Sequence, residues 1–528
     1  MSDSTSSVEK ELLDIMRTEL DDEDIDLDDD FYAMGGDSLI ALRVVAQAVG
    51  RGIDIRLRDI LYYPTVRELA ASRTRAADPV PPVGTAVGTS AFGLIDDVDR
   101  ARLPRGVADA LPASALQVGL IYMSEIAGDT RLYHDLIGVE VKGRFVEDLF
   151  RTSLAALCAR HPALRTSLDL AAYAEPMQLV WAEVEPPLSV ERVDTGDAEA
   201  ADTRVKAWAE AELNRPIDWS AAPVWRCHVV VLPDSFRLAL AIPHSVIDGW
   251  SYARLFVDLL GLYDRALVGD GGTPTSPPPW GHAEFVRLER ESLGSPEAAA
   301  FWRAEADFPP LLFDTAEFDD VPLQDGRHFF PIGPETMEGL RETAKRAEVP
   351  LKCLVLGAQL WALGEATGRS QDILAGVTVN GRPEVPDADL LVGLFLNTLP
   401  IRLHSRDGGW AELAQRVFAA EKRMFAYRRY PLAELQRQLG RRPFDVAFNF
   451  TEFHTYEELG ALRELSTAGW WSYDRNSFPV NVEFMVNPRH SGTGVSISYD
   501  PALVTEEWVT GFSSVYRAAL ESAAGEQT

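Results

Sequence analysis

The spacing of apolar residues changes character along this chain. Leu12, Leu13, Met16 and Leu20 fall on one side of Ser7–Leu20, which predicts a short amphipathic helix. Leu42, Val45, Ala46 and Val49 follow the i, i+3, i+4, i+7 rule and predict a second helix from Leu39 to about Val49. "YPTVRELAASR" predicts a last helix with Pro64 at or near its first turn. Between the first two lies "DDEDIDLDDD", Asp21–Asp30. It is a solvated loop that Ile25 and Leu27 can pin to a small core. Residues 1–75 are therefore expected to form a small all-helical unit.

Beyond it the pattern alternates. "LIGVEVKG", "CHVVVLP", "FRLALAIP" and "SISYD" are strand-like, and "EDLFRTSLAALCARH", "YARLFVDLLGLYDRAL" and "KCLVLGAQLWALGEA" are helix-like. "AADPVPPVGTAVGTS" is a Pro-, Gly- and Ala-rich linker between the two regions. "GDGGTPTSPPPW" (Gly269–Trp280) divides the second region again. The expected division is 1–75, a linker at 76–107, and two mixed units at 108–280 and 281–528.

Charge and composition narrow the function. A chain of 528 residues with 46% apolar residues can bury more than one core. Its net charge of −31 opposes binding to nucleic acid or an anionic membrane. No apolar run reaches the roughly 20 residues of a membrane helix, and "MSDSTSSVEK" is not a signal peptide. Cys158, Cys227 and Cys353 are widely spaced and odd in number. They suit small buried thiols in a cytoplasmic protein.

Two stretches carry candidate chemistry. In "FYAMGGDSLIALRVV", Ser38 stands at the start of a helix pattern. A hydrolase elbow needs a second glycine after the serine, and Leu39-Ile40 supplies none. A helix cap and an attachment point both remain open on spacing alone. In "RLALAIPHSVIDGWSYARLF", His244 falls just past a strand and Asp248 four residues later. Gly249 permits a sharp turn there, and an apolar-striped helix begins near Trp250. Asp248 can fold back toward His244 or hold the loop by an ion pair. A metal site lacks the companion ligands it would need.

Residues 1–75 resemble a peptidyl carrier domain of nonribosomal peptide synthetases. The likeness rests on "GGDSL" (Gly35–Leu39), the acidic first loop and the order of helices. Residues 108–528 resemble a condensation domain. "PHSVIDG" (Pro243–Gly249) matches its H-H-x-x-x-D-G signature at all but the first position. "LPASALQVGLIY", "RHPALRTSL", "VGLFLNTLPIRL", "YPLAEL" and "RRPFDVAFNF" recur in the family's order. The resemblance implies a small four-helix bundle followed by an α/β (α+β) domain of two chloramphenicol-acetyltransferase-like lobes in a V. It further implies 4′-phosphopantetheine on Ser38, His244 as the central catalytic residue, and Asp248 as a structural residue paired with Arg165. Gly249 belongs to the same structural set, and Ser245, Trp250 and Asn397 are expected to line a tunnel. The implied partners are a phosphopantetheinyl transferase, an adenylation domain or other loading enzyme in trans, and an acceptor carrier or small amine.

Other members of the superfamily offer alternatives. An epimerisation domain shares the histidine motif, and Asp37 before the serine is common ahead of epimerases. Pro243 in place of the first histidine allows an inactive, condensation-like recruitment module. A heterocyclising domain would replace the histidine motif with aspartates, and a coenzyme-A-dependent acyltransferase would carry D-F-G-W-G, absent here.

Overall fold

The computed structural model describes residues 2–36, 38–72, 90–193, 197–270, 281–308, 326–385, 387–452, 454–486 and 493–526. Asp37, residues 76–89 of the predicted linker and the break at 271–280 lie outside them.

Among the described residues, the first 72 hold helices Ser2–Leu20, Ser38–Gly50, Leu57–Tyr62 and Val66–Ser72. Leu12, Ile15, Met16, Val44, Ile60 and Leu69 meet in their core with no exposed surface or nearly none. Ile25 is buried there, as its place in the acidic loop suggests. The Leu57–Tyr62 helix was not read from the sequence, because two turns are too short to show a period. Pro64 precedes the last helix, which starts at Val66.

Fourteen strands follow among the described residues. They are β1 (Val107–Pro112), β2 (His134–Lys142), β3 (Thr166–Asp169), β4 (Met177–Trp181), β5 (Leu188–Arg192), β6 (Arg226–Val231) and β7 (Ser235–Pro243). After them come β8 (Gly326–Pro331), β9 (Gln371–Asn380), β10 (Leu396–Ser405), β11 (Val446–Glu452), β12 (Ser466–Tyr473), β13 (Val480–Val486) and β14 (Gly494–Tyr499). They form a five-stranded sheet ordered β12-β2-β7-β6-β5, a six-stranded sheet ordered β10-β9-β11-β13-β14-β8, and a small sheet β1-β4-β3. β12 lies inside the predicted second unit yet pairs with β2, so the later half of the chain lends a strand to the first lobe.

The five-stranded sheet is covered on both faces. Helices Glu147–Arg160 and Gly249–Leu267 pack on one, and Ala198–Leu213 packs on the other. That explains why β7 reads as an unbroken apolar run. The six-stranded sheet is covered on one face by helices Pro334–Arg346, Leu351–Thr367, Trp410–Met424 and Glu506–Ala524. Its other face is turned to a cavity of about 1050 Å³ between the lobes, and Thr378, Asn380, Asn449, Asn481, Glu483 and Ser496 line it there. Along β13 burial alternates strictly, with Val480, Val482, Phe484 and Val486 inward.

Residues 90–106, inside the predicted linker, carry a helix at Asp97–Arg102. Phe92, Ile95 and Leu103 pack on Ala110, Met177 and Leu179. A linker reading rests on composition, and these three scattered apolar residues find their partners only in the folded sheet. All three cysteines are free and buried, and burial pushes the Cys158 thiol up to about 12. Among the described residues no helix is long and apolar enough to cross a membrane.

Candidate active site

His244 is delivered by the end of β7. The Pro243 carbonyl accepts from the Val246 N–H at 2.9 Å, turning the chain as the strand ends. Proline is tolerated here because β6 pairs with β7 only as far as Ala241, so the missing N–H falls beyond that ladder. The His244 N–H donates to the Tyr133 carbonyl at 2.8 Å, and the Tyr133 ring lies parallel to the imidazole, 6.4 Å between centroids. Tyr133 has φ +57°, a conformation that costs a non-glycine residue energy. Ser477 helps hold it: the two hydroxyls are 2.7 Å apart, and the Ser477 N–H also bonds the tyrosine oxygen.

Asp135, on β2, completes the pair. Its Oδ2 lies 2.9 Å from His244 Nδ1, off the hydrogen-bond direction, so the attraction is that of an ion pair. The imidazole is a quarter exposed, onto the cavity. Burial works against its charge, but Asp135 and then Asp248 outweigh it and carry the pKa up to about 9. At neutral pH the ring is an imidazolium. Tyr252 fixes the strand pair behind it: its hydroxyl donates to the Asp135 carbonyl at 2.8 Å and accepts from the Ile242 N–H at 2.9 Å.

Asp248 does not pair with Arg165. It caps the Gly249–Leu267 helix by accepting from the Ser251 N–H, and its carboxylate faces Arg382 at 3.0 and 3.1 Å. Both side chains are almost wholly buried, 2% and 1% exposed. Asp248 also accepts from the Phe395 N–H, and its own N–H donates to the Gly393 carbonyl. Arg382 lies over the Phe395 ring at 4.4 Å. The histidine loop is thus tied to "VGLFLN" of the second lobe. An added Cβ on Gly393 would sit 2.9 Å from the Phe395 ring, which is why glycine stands there.

Arg165 points elsewhere. Its guanidinium donates to the carbonyls of Cys158, Trp181 and Ala182, bracing the join between a helix and β4. Gly249 is the first residue of its helix. Trp250 lines the cavity and donates from Nε1 to the Asp389 carbonyl at 2.8 Å. Asn397 also lines it, but its amide is spent on the carbonyls of Arg428 and Tyr430. Ser245 is 1% exposed and is not part of the cavity wall; its carbonyl accepts from Gln117 Nε2 at 3.0 Å.

Asp135 and Arg382 were missed by sequence reasoning. An aspartate within an apolar strand is a weak signal, since strands disfavour it. Arg382 sits between Gly381 and Pro383 with no spacing that ties it to Asp248, 134 residues away.

The cavity does not end at the lobes. Met34, Gly35, Gly36, Leu57 and Leu61 of the helical unit line it together with His244. Tyr32 packs edge-on against Phe418 at 5.0 Å, and the Tyr62 hydroxyl meets the Lys422 carbonyl at 3.3 Å. Ser38 is the first residue of its helix. The turn before it needs both glycines: Gly35 has φ +92°, and a Cβ on Gly36 would fall 2.3 Å from the Phe31 ring.

Residues 107–527 match the family model described as a condensation domain. The chain belongs to the condensation-domain family. Residues 10–72 match the phosphopantetheine attachment site, so a carrier stands ahead of the condensation domain, and the prosthetic group is 4′-phosphopantetheine. The carrier's residues fit that group: the helix that Ser38 opens has no acidic residue in its first turn, leaving its free N–H groups to face a phosphodiester.

The AMB antimetabolite synthetase AmbE of Pseudomonas aeruginosa is 34% identical over 85% of this chain and 21% of its own length. Tyrocidine synthase 3 of Brevibacillus parabrevis is 25% identical over 89% of this chain and 7% of its own. The chain therefore spans about a fifth or less of these relatives. The condensation domain of the monacolin K polyketide synthase MokA superposes with a TM-score of 0.65 at 17% identity, covering 80% of this chain and 98% of that one. The first condensation domain of the calcium-dependent antibiotic synthetase, bound to a substrate analogue, gives 0.65 at 18% over 79% and 97%. These likenesses agree with a carrier bundle followed by two mixed lobes.

Proposed function

We propose that this chain makes an amide bond in nonribosomal peptide synthesis. An aminoacyl or peptidyl group carried on Ser38 is transferred to an acceptor amine, or to an alcohol to give an ester. The observation that carries this is the continuous cavity from the Gly35–Gly36 turn, just before Ser38, to His244. That continuity supports the carrier as donor in cis. The division into a carrier at 1–75, a linker at 76–107 and lobes at 108–280 and 281–528 belongs to this reading, with β12 crossing to the first lobe.

When bound, the prosthetic group supplies a thiol that holds the acyl group as an activated thioester. His244 does the work at the carbonyl. As an imidazolium it offers an N–H and a positive charge to the oxygen on which negative charge develops, an effect of about 10²–10³ in rate. A charged ring is not a base. The acceptor reacts as the free amine, a form that an α-amino group of pKa near 7.7–8.0 populates at about a tenth or more at pH 7. Asp135 keeps the ring charged, and Asp248 with Arg382 holds the loop so that the ring faces the cavity. Loading needs a phosphopantetheinyl transferase and an adenylation domain or other loading enzyme; the acceptor is another carrier or a small amine. Three free cysteines support a cytoplasmic setting.

Intact mass measured after treatment with a phosphopantetheinyl transferase and coenzyme A tests the first step. The expected result is one added arm, lost in Ser38→Ala. The loaded chain is then offered amines, with His244→Ala slower by about 10²–10³-fold. Parental rates in His244→Ala overturn the role of the ring. An inverted stereocentre with no amide product would move the reading to epimerisation.

A further inference from the structure

Glu483 is a carboxyl in the cavity wall that the mechanism above does not use. On β13 it stands in register with Asn449 on β11 and Ser496 on β14, and all three line the cavity with His244 and Asp135. Thr451 Oγ1 donates to its Oε1 at 3.1 Å, and Asn449 Nδ2 approaches the same oxygen at 3.4 Å. Among the described residues nothing donates to Oε2, and no cationic side chain is within ion-pair distance of the carboxyl. A nearby guanidinium, that of Arg327 on β8, is engaged by Asp474 through its carbonyl and its Oδ1.

The surrounding charge is negative. Burial, then Asp474 and more weakly Asp135, raise the Glu483 carboxyl to about 7, against the lowering effects of Thr451 and Arg327. A carboxylate placed in such a wall is stabilised when a cation comes to it. The neighbouring chemistry says which cation: the cavity receives aminoacyl groups, whose free amines are ammonium ions.

We propose that Glu483 is the seat of a substrate ammonium group, borne by the donor or the acceptor aminoacyl moiety. This rests on the condensation reading, in that the ligand is aminoacyl. It predicts that the cavity prefers a free primary amine over its N-acylated counterpart.

The test is calorimetry on the full chain with alanyl-pantetheine in which an amide replaces the thioester, and with its N-acetyl derivative. At pH 8 the parent should bind the free amine about 10- to 100-fold more tightly than the acetylated ligand, the span of a charge-assisted hydrogen bond. Glu483→Gln should bind both alike. Between pH 8 and 6 the preference should fall in the parent, as Glu483 takes up a proton, and stay flat in the variant. His244, at about 9, stays charged across that window.

Glu483→Asp keeps the charge and should keep a preference; it also serves if Glu483→Gln melts early. To separate the two sources, the amide-linked alanyl arm is first installed on Ser38. If that loading removes the preference for free amine in the added ligand, the donor's ammonium occupies Glu483; if the preference persists, the acceptor's does. A Glu483→Gln chain that discriminates as the parent does overturns the proposal. Calorimetry needs no turnover, so a chain that fails to condense leaves this test readable. Equally, loss of the preference leaves the condensation reading standing.

Discussion

Replacing Arg382 by glutamine should loosen the whole join between the lobes. In the folded protein the Asp248 carboxylate is held by the N–H groups of Ser251 and Phe395 and by two nitrogens of Arg382. Arg382→Gln removes the ion-pair partner of a carboxylate that is 2% exposed. Breaking a buried pair from one side costs about 3–5 kcal/mol. The contact with the Phe395 ring contributes about 0.5–2 kcal/mol, and it overlaps with that figure because the same guanidinium makes both. All 12 tryptophans lie at or beyond Trp181, so their fluorescence in urea reports the condensation domain and ignores the carrier. With a slope of about 3 kcal/mol per M, the midpoint should fall by about 1–1.7 M. Asp248→Asn with Arg382→Gln should lose much less than the two single variants summed, since the double variant buries no unpaired charge. Arg165→Gln, paired with Asp248→Asn, should be additive within about 0.5 kcal/mol. A midpoint for Arg382→Gln within about 0.2 M of the parent would refute this account, as would strong coupling between Arg165 and Asp248.

Other outcomes follow from the same geometry. In a nitrogen-detected titration, the His244 imidazole should lose its proton near pH 9, and Asp135→Asn should bring the midpoint down, because burial is then opposed only by the weaker effects of Asp248 and the Ile247 backbone. Since the folded pKa is raised, the stability from this pair is full below about 6.5 and is lost as pH rises through 9; a melting temperature of Asp135→Asn matching the parent at pH 6 would contradict it. Glu384, buried between Arg428 and Arg429, is the opposite case: burial raises its pKa, but the two arginines pull it down to about 2. Its contribution is present above about 4.5 and is lost as pH falls toward 2, so Glu384→Gln should be less stable at pH 7 and show a shallower loss on acidification in melting curves. Gly36→Ala forces a methyl against the Phe31 ring, 2.3 Å away. It should destabilise the carrier by about 1–3 kcal/mol and slow arm attachment in the mass assay, without moving the tryptophan transition.

The sequence by itself determined a good deal. Periodicity is a local property, so it located the helices that begin at Ser38 and Gly249 and the strands around Glu140 and Leu238. Motif order also placed Ser38 and His244, since each sits at the junction of a turn and a regular element, where the local chain sets the position. Tertiary structure decided everything that depends on two distant segments meeting. It chose Arg382 over Arg165 as the partner of Asp248, brought Asp135 to His244 across the β2–β7 register, and so set the charge on the ring. It sent β12 to the other lobe and joined the carrier's glycine turn to the same cavity. The reason is physical: ion pairs, pKa values and cavities arise from distance and burial in space. A chain of side chains in order carries neither until it folds.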